Sequence, residues 1–160
     1  MPLILWVVLL LLLDSHILVK RFSAVHRPDL LLLFIIFLAI RFDSSLSLLT
    51  GFLLGGMKDS LMLNPLGLSG LYLVIVGLLP HVGRHRFFLE DTVVQWVLVL
   101  GGTVVGAVVR VLVYWGLGQS VGAPWPALVW GLVLHSLLFW PLFRLWDITL
   151  GSGKKGDNPQ

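Results

Sequence analysis

The chain has 160 residues, of which 58% are hydrophobic and 12% charged, with a mean hydropathy of +0.97. Soluble domains carry about a quarter charged residues, so this composition excludes an ordinary soluble domain and points to an integral membrane protein. No cysteine is present, which excludes disulfides and thiolate chemistry. The net charge of +3 is small and better suited to orienting membrane spans than to binding nucleic acid.

The first apolar run, about Pro2–Val19, reads as a retained helix, since no basic segment precedes it and no small-residue cleavage pattern follows. Its last third holds Asp14. A basic connector with Lys20, Arg21, His26 and Arg27 leads to Pro28, a favourable first helical residue, and to Asp29, where the helix dipole favours a carboxylate. The second span, about Pro28–Ser44, is short. Its uncharged part, Leu30–Ile40, rises about 16 Å, so Arg41 is expected to snorkel or the bilayer to thin locally. Asp43-Ser44-Ser45 offers an N-cap for the third span, Leu46–Leu63, which Asn64-Pro65 ends.

The fourth span is Leu66–Val82, with Gly67, Gly70 and Gly77. A basic loop, Gly83-Arg84-His85-Arg86, separates it from the fifth, about Thr92–Leu117. The sixth, about Trp125–Trp146, has Trp at both ends, spaced as a pair of interfacial anchors, and Pro141 is expected to kink it. The expected fold is an all-α, six-transmembrane-helix bundle over residues 1–148, followed by a disordered tail over 149–160. Six spans put both termini on one side, and counting basic residues by side makes that side cytoplasmic by six to four.

Three ionisable residues fall inside parallel spans, Asp14, Asp59 and Arg110, all about 18–27 Å along their helices. Charges inside membrane spans pair or face a cavity. Gly51, Gly55 and Asp59 stand four apart on the third helix, and Gly102, Gly106 and Arg110 repeat the spacing on the fifth. The expectation is that these two glycine faces meet and that Asp59 pairs with Arg110; snorkelling of each charge to its interface is the alternative. Lys58 and Asp59 are adjacent and point about a quarter-turn apart. His135 lies mid-span without further ligands at metal spacing and reads as a buried, hydrogen-bonded histidine. No catalytic constellation and no cofactor or metal site stands out.

Arg27-Pro28-Asp29 before a leucine-rich run, then Gly51-Phe52-Leu53-Leu54-Gly55, Asp59 and Pro65-Leu66-Gly67-Leu68, resemble the MreD family of rod-shape-determining membrane proteins, along about residues 1–146. Lys58, where the family has an uncharged residue, and Leu61-Met62-Leu63-Asn64, in place of small residues before the proline, depart from its pattern. The resemblance implies a non-enzymatic scaffold of the bacterial cell-wall elongation machinery in the inner membrane. It implies binding to MreC, and indirect links to MreB and to RodA with its partner transpeptidase. It also implies a fold like the S-components, the substrate-binding subunits of energy-coupling-factor transporters. A small-molecule-binding or transporter subunit is the alternative from another class; it would need a polar pocket that Asp14, Asp59 and Arg110 line.

Overall fold

The computed structural model describes residues 2–13, 28–42, 44–62, 65–83, 91–118 and 125–150. Among these, six α-helices follow one another: α1 (Pro2–Leu12), α2 (Leu30–Arg41), α3 (Ser44–Met62), α4 (Leu68–Gly83), α5 (Thr92–Gly116) and α6 (Trp125–Leu150). The expected all-helical order holds among the described residues; the end of the first span, expected near Val19, lies outside them. α5 and α6 are long and apolar enough to cross a membrane, and most of their residues face outward. Below, the near face of the bundle is the one that carries Pro2 and Leu150.

α2 is the axis of the fold. Its sequence, LLLLFIIFLAIR, is apolar all round, and such a helix is stable only when surrounded by protein or lipid. Here protein surrounds it: every residue from Leu30 to Ala39 is buried. Asp29 caps its N-terminus by accepting from Leu32 N at 3.4 Å, and Phe42 N closes its other end on Leu38 O. Arg41 finds a partner within the protein. It donates to Asp147 Oδ2 of α6 at 2.7 Å, with a third of each side chain exposed. Asp29 N and Arg41 reach partners on α6, His135 and Asp147, at one sequence offset of 106 residues. α2 and α6 therefore run parallel and in step.

Aromatic rings fill the space between α1, α2 and α6. Trp146 stands edge-on to Phe34 at 5.2 Å and to Trp6 at 6.2 Å, and Phe37 lies 5.4 Å from both Trp146 and Phe143. This corrects the reading of Trp125 and Trp146 as paired interfacial anchors. Trp125 is exposed, but Trp146 is completely buried, because its face of α6 turns toward α2. α6 continues through Pro141 to Leu150, two residues into the segment expected to be tail. Trp6 Nε1 donates to Thr149 Oγ1 there at 2.9 Å. Asp43 and the rest of the tail lie outside the described residues.

α3 and α4 form the tightest pair. A turn joins them, in which Leu68 N donates to Pro65 O at 3.1 Å and Gly67 takes φ +92°, a conformation that favours glycine. Above the turn the two backbones touch. A Cβ built on Gly55 would overlap the backbone of Ser69 and Gly70. On Gly51 it would sit 3.4 Å from Leu73 O.

Candidate functional site

The glycine faces of α3 and α5 do not meet each other. Gly51 and Gly55 pack on α4, whereas a Cβ on Gly102 would lie 3.0 Å from Ile36 of α2 and 3.1 Å from Val76 of α4. A Cβ on Gly106 would lie 3.4 Å from Tyr72 of α4 and 3.6 Å from Leu32 of α2. α4 is thus gripped from two sides, and both small-residue faces serve close packing within one bundle.

Asp59 continues the Gly51–Gly55 face and reaches the start of α4. Its Oδ2 accepts from Ser69 N at 2.8 Å. The first amides of a helix have no intrahelical acceptor, so Asp59 caps α4 from the neighbouring helix. Its other oxygen, Oδ1, is buried with no hydrogen-bond partner among the described residues. Pro65 and Gly67 form the turn that brings Ser69 to this carboxylate.

Arg110 pairs with a different carboxylate from the one expected. Its guanidinium donates to Asp29 Oδ2 at 3.1 Å and lies over the Tyr72 ring, 4.9 Å from its centroid. The reason is topological. α2 begins at the level where Arg110 lies, and α4 stands between α5 and Asp59. Lys58, on the face of α3 turned away from Asp59, donates to Asp29 Oδ1 at 2.9 Å. The Tyr72 hydroxyl also donates to Asp29 Oδ2. One buried carboxylate at the head of α2 is therefore held by cations from α3 and α5 and a phenol from α4.

The sixth helix joins through His135, which is buried and hydrogen-bonded as expected. Asp29 N donates to His135 Nε2 at 2.8 Å. That nitrogen is the acceptor, so the ring proton sits on Nδ1 and is donated to Thr103 Oγ1, also 2.8 Å away. The Thr103 hydroxyl passes on to Val99 O at 2.8 Å. Five helices, α2 to α6, thus converge on Asp29. These interactions tie the five helices together through their polar groups, an arrangement suited to fastening the bundle.

Asp14 lies outside the described residues. Sequence reasoning names Arg110 and His135 but misses Asp29 as their shared centre, together with Tyr72 and Thr103. The signal for Asp29 is its place in Arg27-Pro28-Asp29, where a carboxylate opens a fully apolar helix. The outer surface of α5 and α6 offers a different feature. α5 and α6 leave a shallow apolar groove lined by Trp96, Leu132, Val133, Ser136 and Leu137.

No curated protein and no solved structure matches the chain. A family model does, over nearly its whole length. With its apolar helices and its polar groups turned inward, the chain belongs to the family of the rod shape-determining protein MreD, whose model covers residues 1–148.

Proposed function

We propose that this protein is a scaffold of the bacterial cell-wall elongation machinery. It holds MreC, and through it MreB, RodA and the partner transpeptidase, in the inner membrane, with both of its own termini cytoplasmic. The family determines rod shape and is non-enzymatic. The observation that carries the reading is the Asp29 cluster. Among the described residues, Asp29, Lys58, Tyr72, Arg110, Thr103 and His135 form a single polar network. The apolar outer surface, which includes a shallow α5–α6 groove lined by Trp96, Leu132 and Leu137, is where a single membrane helix would pack by van der Waals contact. In this reading the six helices adopt the S-component arrangement, used for holding a protein partner instead of a small ligand.

Affinity capture in a gentle detergent, followed by mass spectrometry, tests the proposal. A stoichiometric protein partner with one membrane helix is the expected result. A retained small molecule without such a partner would overturn it in favour of a small-molecule-binding or transporter subunit. Labelling of single cysteines placed at Arg84 or Arg86 from the cytoplasmic side only would support the orientation, and labelling from the outside would reverse it.

A further inference from the structure

α6 presents one continuous stripe to its surroundings. Val133, Leu137, Trp140 and Arg144 recur at helical spacing, so they share one face, and all four are exposed. Val133 and Leu137 line the groove that α6 forms with Trp96 of α5, a space of about 540 Å³, within the range of sites for one small ligand. The stripe therefore turns from apolar to cationic along its length. Its cationic end points to the near face. Arg144 lies one turn before Asp147, whose pair with Arg41 stands at that end of the bundle.

Arg144 has no counter-ion among the described residues. Its guanidinium carbon lies 5.2 Å from the centre of the Trp140 ring, so the side chain leans back along the helix toward the groove. Stacking on the ring holds the guanidinium in place and leaves the N–H donors at its edge able to donate. The described carboxylates at this end are engaged elsewhere. Asp147 Oδ2 accepts from Arg41 at 2.7 Å, and Asp91 Oδ1 caps α5 by accepting from Val93 N at 3.0 Å. A charge on a membrane span pairs or reaches the boundary. For a lipid-facing cation near the end of a span, the anion at hand is a lipid phosphate.

We propose that the α5–α6 groove binds one phospholipid of the near-face leaflet. An acyl chain lies against Trp96, Val133 and Leu137, and the phosphate accepts hydrogen bonds from the Arg144 guanidinium. The order along the helix, apolar groove and then cation toward the near face, is the order of chain and phosphate in that leaflet. Guanidinium and phosphate form a strong, charge-assisted contact. Because Trp140 already holds the guanidinium, less side-chain freedom is lost when the phosphate arrives. The site stands apart from the scaffold reading. With a lipid chain in this groove, the outer face of α3, where Leu49, Phe52 and Leu53 are exposed, remains for a partner's membrane helix.

Native mass spectrometry of the full chain, freed of lipid in detergent, tests the site. The probes are dioleoylphosphatidylglycerol, dioleoylglycerol, which has the chains without the phosphate, and glycerol 3-phosphate, which has the phosphate without the chains. The parent is expected to hold one dioleoylphosphatidylglycerol and to hold either fragment several-fold more weakly. Arg144→Gln removes the cation, and Val133→Trp or Ser136→Phe fills the groove; each should weaken binding several-fold, and Arg144→Lys should restore part of it. Leu61→Trp, on the outer face of α3, should bind as the parent does. Only variants whose thermal unfolding matches the parent are compared. Full binding by Arg144→Gln or by the filled groove, equal binding of dioleoylglycerol or glycerol 3-phosphate, or a second protein chain in place of the lipid would overturn the inference.

Discussion

Replacing Gly55 by alanine should be the most damaging single-methyl change in the protein. A Cβ there meets the backbone of Ser69 and Gly70, which cannot rotate aside as a side chain can. α3 and α4 must separate, and overpacking of this kind costs about 1–3 kcal/mol. Separation also lengthens the bond from Ser69 N to Asp59 Oδ2, now 2.8 Å, which in a membrane interior is worth about 0.6 kcal/mol. A methyl added to Gly56, the next residue, would meet nothing within 4 Å. Alanine there should stabilise the helix by roughly 0.5–1 kcal/mol. The two neighbouring substitutions should therefore differ by about 2–4 kcal/mol, with Gly55→Leu losing the fold altogether. Thermal unfolding in a mild detergent, followed by circular dichroism, makes the comparison. If Gly55→Ala and Gly56→Ala unfold together, the close α3–α4 crossing is not there.

The remaining predictions concern single groups. Asp59→Asn keeps an acceptor for Ser69 N and should lie within about 0.5 kcal/mol of the parent, whereas Asp59→Ala strands that amide and should lose about 1–2 kcal/mol in the same assay. His135→Leu leaves Asp29 N–H and Thr103 without their partner and should cost about 1–3 kcal/mol. Nitrogen-15 NMR of the parent should find the His135 proton on Nδ1; a proton on Nε2 would contradict the hydrogen-bond chain. Trp146→Ala opens the aromatic core and should cost about 3–5 kcal/mol, far more than Trp125→Ala at the exposed end of the same helix.

Much of the fold was legible because apolar length and breaker residues mark membrane helices directly. Pro65, Gly67 and Asp91 set boundaries that local chemistry dictates. The glycine faces were legible as faces, and so was the divergence of Lys58 from Asp59, since both follow from helical periodicity. Which face meets which helix did not follow. Gly55 and Gly106 have the same spacing to an ionisable residue, yet one packs on Gly70 and the other on Tyr72 and Leu32. The Asp59–Arg110 expectation failed for that reason: it paired helices by similarity of pattern, and α4 lies between them. Arg41 was expected to snorkel, or the bilayer to thin, because the uncharged part of α2 is short, and no partner for it was in view. A helix buried all round and one facing lipid read alike in sequence, and only Asp147, 106 residues away, reveals the difference. Trp146 misled similarly, since the spacing of two tryptophans says nothing about which side of the helix each occupies.

The central claim is that Asp29 fastens the bundle and that Arg110 and Lys58 are its counter-ions. A double-mutant cycle on Asp29→Asn and Arg110→Gln measures this most directly, with Asp59→Asn and Arg110→Gln as the parallel cycle, each read as unfolding free energy in the same detergent. Asp29 is buried but the Arg110 side chain is 45% exposed, so losing Arg110 costs less than the ~3–5 kcal/mol of a fully buried pair. The first cycle should therefore show a coupling of at least about 1 kcal/mol, within the range for residues in direct contact, and the second should show none beyond about 0.3–0.5 kcal/mol, the scatter of independent sites. Coupling of Arg110 to Asp59 and not to Asp29 would contradict the account.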